Sequence, residues 1–373
     1  MSDEYSSRLT RLQKSLQWQG VDAALITSTD SIYYLTGFRY VPFERAFFLV
    51  VRPEGQIVVV TPRIEAENMA TIPLSHRIVE YTDYPAPSGE TYMDALNSVI
   101  STSETIAVEP SLPAELMVAV QAYQPKVLPL IETLRLVKSA DEIRRVERAA
   151  KYSDLGLRMI MQAARLGESI QGGYDRIPEL RAEMIKGEGA LDQYTSTIWL
   201  GVWAAPYSAQ PHRFPEPQDV FAEGPNVGLS FLRVNGYSAE TERTFFLHEP
   251  SAEQAEVFRV MIEAADIGYA MLRPGVSCHE VDHKVMSFLR SEGFSDNLLH
   301  RVGHGIGMGG HEGPWVAEGS DDVLEENMII SIEPGIYWRG QGGYRHSDTV
   351  LITADGYRKL TDFPRDLKSM ILA

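Results

Sequence analysis

Glu240 and Glu242 stand two residues apart in Tyr237-Ser238-Ala239-Glu240-Thr241-Glu242-Arg243-Thr244. On a strand, that spacing turns both carboxylates to one face, where they can hold a cation or share a proton. The other arrangement is an outward polar stripe paired with Arg243 or Arg345. A third carboxylate, Glu333 in Ile332-Glu333-Pro334-Gly335, closes the apolar run Met328–Ile332. A charge at the end of a buried strand needs a partner or a function. Four of the nine histidines, His212, His304, His311 and His346, lie near glycine- or proline-rich strand ends in the second half of the chain. Imidazole is the side chain best suited to move protons near neutral pH and to ligate a metal. Gly303-His304-Gly305-Ile306-Gly307 surrounds one of them with glycines, which lets the backbone close on another group or simply make a tight turn. His311-Glu312-Gly313-Pro314 follows seven residues on.

The elements that must position these groups alternate in two blocks. The first third reads as a small α/β domain, residues 1–132. Tyr5, Leu9, Leu12 and Leu16 recur at helical spacing before Gly20. Strands are predicted at Ala23–Thr27, Ala46–Val51, Gln56–Thr61 and Ile106–Val108, with short helices at Ser31–Leu35 and Pro113–Ala122. A second, α+β domain is predicted over 139–373. Ser139 with Glu142 forms a capping box that opens a long helix, and Ser251 with Gln254 repeats the device. A further helix begins at Ser277 and ends at Gly293. Strands then dominate: Val227–Arg233, Tyr237–Leu247, Met328–Ile332 and Tyr344–Ile352.

Composition excludes several classes. With 34 Lys+Arg against 51 Asp+Glu the formal charge is −17, the wrong sign for a nucleic-acid surface or for anionic lipid. The single cysteine, Cys278, excludes an intramolecular disulfide framework. The polar start and the short apolar runs predict neither a secretory leader nor a membrane span, so the expected location is the cytoplasm.

Taken in order, the motifs Asp22-Ala23-Ala24-Leu25-Ile26, Tyr34-Leu35-Thr36-Gly37-Phe38, Gly303-His304-Gly305-Ile306-Gly307, His311-Glu312-Gly313-Pro314, Ile332-Glu333-Pro334-Gly335 and Gly343-Tyr344-Arg345-His346-Ser347-Asp348-Thr349 resemble the pita-bread superfamily of creatinase, prolidase, aminopeptidase P and methionine aminopeptidase. The resemblance implies a creatinase-type N-terminal domain, a pita-bread catalytic domain and a homodimer. Its peptidase members hold two divalent metals with two Asp, one His and two Glu. Position by position, His304 and Glu333 match ligands, and Glu240 replaces the second Asp. Leu229 falls where the first Asp belongs and Ser347 where the last Glu belongs. Leu cannot bind a metal and neutral Ser is a poor ligand, so a dinuclear centre is not expected.

Metal-free creatinase is the other template. It aligns Glu242 and Glu333 with the glutamates that hold a cationic substrate, His212 with the catalytic His, and Arg45 with an Arg that holds a substrate carboxylate. The expected function is therefore a creatinase-like, metal-independent hydrolase of a C–N bond in a small amidine, guanidino or amide substrate. His212, Glu242 and Glu333 would be catalytic. Arg45, Glu240, His304, His311, Arg345 and His346 would bind substrate. No cofactor is expected, the alternative being one divalent metal at Glu240, His304 and Glu333 in an Xaa-Pro dipeptidase or aminopeptidase. A non-catalytic binding protein is a third reading.

Overall fold

The computed structural model describes residues 2–372. The chain forms two compact units that meet in sequence between Leu134 and Arg135. In the first, helix α1 (Ser2–Gln19) precedes strand β1 (Ala23–Ile26) and helix α2 (Thr29–Thr36). Leu12 and Leu16 are fully buried, as the helical spacing requires. Strands β2 (Phe48–Val51), β3 (Ile57–Pro62), β4 (His76–Tyr81), β5 (Ile106–Val108) and β6 (Lys126–Val127) complete a six-stranded mixed sheet of order β4-β3-β2-β1-β5-β6. β1 and β2 are unbroken apolar runs, β3 is one up to Thr61, and all three are buried throughout, because both faces of the sheet are covered.

The second unit is built on a long antiparallel sheet. Its strands are β7 (Thr197–Trp203), β8 (Asn226–Val234), β9 (Tyr237–Phe245), β10 (Gly303–Gly305), β11 (Glu312–Val316), β12 (Ile329–Ile332), β15 (Ser347–Thr353) and β16 (Gly356–Lys359). The order is β11-β10-β12-β15-β9-β8-β7, with β16 on β15. A separate hairpin pairs β13 (Gly335–Trp338) with β14 (Gly342–Arg345). Three long helices pack with these strands: α3 (Ala140–Ala163), α4 (Ala252–Met271) and α5 (Cys278–Ser291). The capping boxes of α3 and α4 form as predicted, with Glu142 and Gln254 each reaching back to the N-cap residue. α3 lies close on the sheet, where Ser153 donates to the Ser230 carbonyl at 2.7 Å. Gly156 permits this contact, since a Cβ there would meet the Ser230 hydroxyl at 2.4 Å.

Two sequence expectations are corrected. The predicted strand Tyr344–Ile352 is two strands in different sheets, broken at His346. β7 was not predicted at all, although Thr197-Ile198-Trp199-Leu200-Gly201-Val202-Trp203 carries the strand alternation.

The strand period sorts the polar residues of β9 and β15 onto opposite faces. Thr241, Arg243 and Asp348 face away from Glu240 and Glu242. There Arg243 pairs with Asp348 at 2.7 Å, and Tyr269, Lys359 and Thr361 each donate to the same carboxylate. Burial alone would raise Asp348, but Arg243 and Lys359 outweigh it and hold the carboxyl well below its ordinary range. Among the described residues, no helix is long and apolar enough to cross a membrane.

Candidate active site

The other face of the sheet carries a cavity of about 660 Å³. Register explains its lining. Trp199 on β7 lies opposite Phe231 on β8, and Phe231 lies opposite Glu240 on β9. One rung along, Leu229 lies opposite Glu242, and Glu242 opposite Ser347. On the far side, His304 of β10 pairs with Ser331 of β12. Gly303 and Gly305 are part of a strand and not a tight turn. A Cβ on Gly303 would meet the Ser331 carbonyl at 2.1 Å, and one on Gly305 the Gly313 carbonyl at 1.9 Å, so these glycines let three strands close around His304.

Two charged clusters result. In the first, Nε2 of the fully buried His304 lies 3.5 Å from a Glu240 oxygen and 3.4 Å from a Glu333 oxygen, yet reaches hydrogen-bonding geometry with neither. Its Nδ1 donates to the Gly305 carbonyl at 3.0 Å, which leaves Nε2 as the atom presented to the carboxylates. Burial opposes a charge on the ring, but Glu240 and Glu333 outweigh it and raise the imidazole to about 9. Ser331 and Ser347 both donate to the same Glu240 oxygen, at 2.5 and 2.8 Å. The His311 ring stacks on His304 with centroids 3.8 Å apart, and burial followed by the His304 charge lowers it to about 4.

In the second cluster, Arg345 pairs with Glu242 at 2.5 Å. Arg345 also donates to the Tyr337 hydroxyl at 3.0 Å, and that hydroxyl reaches His300 Nε2 at 2.7 Å. Burial pushes the Glu242 carboxyl up, against the pull of Arg345. Glu333 moves the other way, because His304 and Arg345 together outweigh its burial. The cation beside Glu242 is therefore a side chain of the protein itself. One oxygen of Glu242, which was expected to hold a substrate nitrogen with Glu333, is taken by that guanidinium, and its other oxygen has no hydrogen-bond partner among the described residues.

Of the residues singled out from sequence, His212, Glu240, Glu242, His311, Glu333 and Arg345 line the cavity, with His304 directly behind. His212 sits on an exposed loop, which Trp203 tethers by donating to the Arg213 carbonyl at 2.7 Å. His346 does not line the cavity. It lies at the break between β14 and β15, buried edge-on against Phe258 of α4, so its expected substrate contact is withdrawn. Arg45 belongs to the first unit, where Asp83 binds it through both carboxylate oxygens. Sequence reasoning missed His300, Arg301 and the aromatic wall of Trp199, Trp203, Phe214 and Phe231. The signal available for the first two was their place just before Gly303-His304-Gly305. For the wall it was the alternation of β7.

The sequence pattern of metallopeptidase family M24 matches residues 144–354, more than half of the chain. The chain belongs to this family. The creatinase/prolidase N-terminal domain matches residues 8–143, so this M24 chain has the two-domain pita-bread architecture. It is 28% identical over 359 residues to an uncharacterized peptidase of Staphylococcus aureus (strain MSSA476), covering 96% of this chain and 100% of the relative. Among solved structures it is similar to a prolidase from Thermococcus sibiricus, with TM-score 0.85 and 25% identity over 97% of this chain and 98% of that one. It is equally similar to the dipeptidase PepE from Mycobacterium ulcerans, with TM-score 0.85 and 25% identity over 100% and 98%.

Family membership makes this M24 chain a hydrolase and implies divalent metal, and the residues present can be tested against that. Glu240, His304 and His311 each offer a ligand atom, all within 4.8 Å of one another, and Glu333 adds a second carboxylate beside His304. A buried imidazole nitrogen without a hydrogen bond, flanked by two carboxylates, fits one divalent ion. Two ions do not fit. Leu229 packs with Trp203 and Val227 where a ligand would be needed, and Ser347 is already bonded to Glu240. The findings thus favour the single-ion alternative over the metal-free expectation. Leu229→Asp combined with Ser347→Glu is expected to raise bound metal in the folded protein from about one ion per chain to about two. Elemental analysis of the purified variant beside the parent measures this.

Proposed function

We propose that this M24 chain hydrolyses the amide bond of a small substrate seated in the cavity, with one divalent ion held by Glu240, His304 and Glu333. The observation that carries this reading is His304 Nε2, fixed by its Nδ1 bond, facing two carboxylates and bonded to neither. When bound, the ion would polarise the substrate carbonyl and acidify a water. The protein's own groups do the rest. Ser331 and Ser347 orient Glu240, and the Glu242–Arg345 pair keeps that side of the floor electrically neutral. His311 has Arg301 donating toward its Nδ1 at 3.5 Å, which leaves its Nε2 to carry the hydrogen and act as a donor. His212, exposed on the loop at the cavity wall, would return a proton to the leaving nitrogen, an imidazole being suited to both directions of transfer.

The metal-free reading keeps one observation of its own. A protonated His304 would by itself partly balance Glu240 and Glu333. Elemental analysis of protein purified without chelator, followed by assays on dipeptides, N-acyl amino acids and guanidino compounds with and without chelator, separates the two. About one ion per chain and chelator-sensitive amide hydrolysis is expected. Chelator-resistant turnover of a guanidino compound by metal-free protein would restore the creatinase-like reading.

A further inference from the structure

Three arginines line the cavity, and two are committed. Arg213 pairs with Asp219 and Arg345 with Glu242. Among the described residues, Arg301 has no carboxylate partner. Its Nε donates to the Gly303 carbonyl at 3.1 Å, its guanidinium carbon lies 4.8 Å from the Trp315 ring centroid, and one terminal nitrogen reaches His311 Nδ1 at 3.5 Å. The guanidinium is therefore stacked and oriented without being neutralised.

The charges of the floor sharpen this. With one divalent ion bound, the ion and Arg345 balance the three carboxylates Glu240, Glu242 and Glu333. No negative charge is then left over to recruit a substrate ammonium, and Arg301 remains as one uncompensated cation. Much of the remaining lining is apolar. Trp199 and Trp203 meet edge to face with centroids 6.3 Å apart, and Leu229 and Phe231 continue that surface. Leu229 makes apolar the position where the two-metal relatives have a carboxylate.

We propose that the substrate is an N-acyl amino acid, with its apolar acyl group on the Trp199–Trp203–Phe231 wall and its free carboxylate on Arg301. This rests on the single-ion amide-hydrolase reading and adds the substrate class. A guanidinium fork matches a carboxylate in shape and charge. Arg301 contacts His311, which stacks on His304, so the guanidinium stands one side chain beyond the reacting cluster. In the reaction, the water oxygen bonds to the acyl carbon as the amide C–N bond breaks. The water's proton goes to the leaving nitrogen, and the products are an apolar carboxylic acid and a free amino acid.

The test uses the full-length, metal-loaded protein and three matched substrates: N-benzoylalanine, its alaninamide counterpart, and the zwitterionic dipeptide Phe-Ala. N-benzoylalanine is expected to exceed Phe-Ala by ~10-fold and the amide by ~100-fold in kcat/KM. Arg301→Met should lower kcat/KM on both substrates through the loss of its bond to His311, but ~100-fold more on the acid than on the amide, with Arg301→Lys intermediate. A preference for Phe-Ala, or an equal loss on acid and amide in Arg301→Met, overturns the proposal. Failure to turn over any of the three sinks the hydrolase reading instead. Calorimetric binding of N-benzoylalanine then judges Arg301 separately: binding by the parent that is lost in Arg301→Met upholds it, and absent or equal binding overturns it.

Discussion

Replacing His304 by alanine is expected to lower kcat/KM by roughly 10³-fold and to abolish stoichiometric metal binding, with the fold retained. The ring stands between Glu240 and Glu333, with its Nε2 3.5 Å from an oxygen of the first and 3.4 Å from an oxygen of the second. Without it the two carboxylates lose their common nitrogen partner, whether that partner would carry a metal or a proton. Neither serine on Glu240 can substitute, since both already donate to it. His311→Ala makes the internal comparison. It should also lose most activity but weaken metal binding less than His304→Ala does, because its ring offers a ligand atom near Glu240 and His304 yet does not lie between the carboxylates. Steady-state kinetics and elemental analysis on the two variants decide the matter. An alanine at 304 with normal turnover and normal metal content would remove the site from consideration.

The second large effect is on stability. Arg345→Met is expected to destabilise the second unit by about 3 to 5 kcal/mol near neutral pH, through loss of the cation paired with Glu242. Both side chains are almost completely buried, at 7% and 3% exposure, so water cannot take the guanidinium's place. Tyr337 loses a donor as well. The pH dependence carries the diagnostic sign. Burial already raises the Glu242 carboxyl, and removing Arg345 raises it further. In the variant the folded state then binds more protons than the unfolded state, so its stability falls as pH rises. The parent's own Glu242 is already raised to about 7, so the deficit relative to the parent should open as pH rises above about 7. Urea midpoints of the parent, Arg345→Met, and the double variant Glu242→Leu with Arg345→Met measure it. The double variant should recover most of the loss, because no charge is left buried alone. A single variant as stable as the parent at pH 8 would show that Glu242 is protonated in the native protein and that Arg345 does not balance it.

Much of the site was legible because its information is local. The spacing of Glu240 and Glu242 fixes a shared face wherever that segment is a strand, and β9 is one. The apolar run before Glu333 and the glycines around His304 mark strand ends at which a polar group meets its neighbours. Leu229 and Ser347 were equally readable. A side chain with no ligand atom, or with only a neutral hydroxyl, cannot stand in for a carboxylate whatever the fold does around it, and that alone argued against a two-metal centre.

What only the tertiary structure decided is which charge meets which. Arg345 lies 103 residues from Glu242 and reaches it because the β13–β14 hairpin folds beside β9. Nothing in either local sequence encodes that pairing. The break after Arg345 sends His346 toward Phe258, away from the cavity, where an unbroken strand would have suggested otherwise. His300 and Arg301 become wall residues through β10, and the tryptophans through the register of β7 on β8. The sequence by itself determined the family, the faces and the missing ligands, since these follow from residue type and period. The partners of the buried charges were settled by strand register and hairpin placement, because electrostatic energy in a protein interior depends on distances that only the packed chain sets.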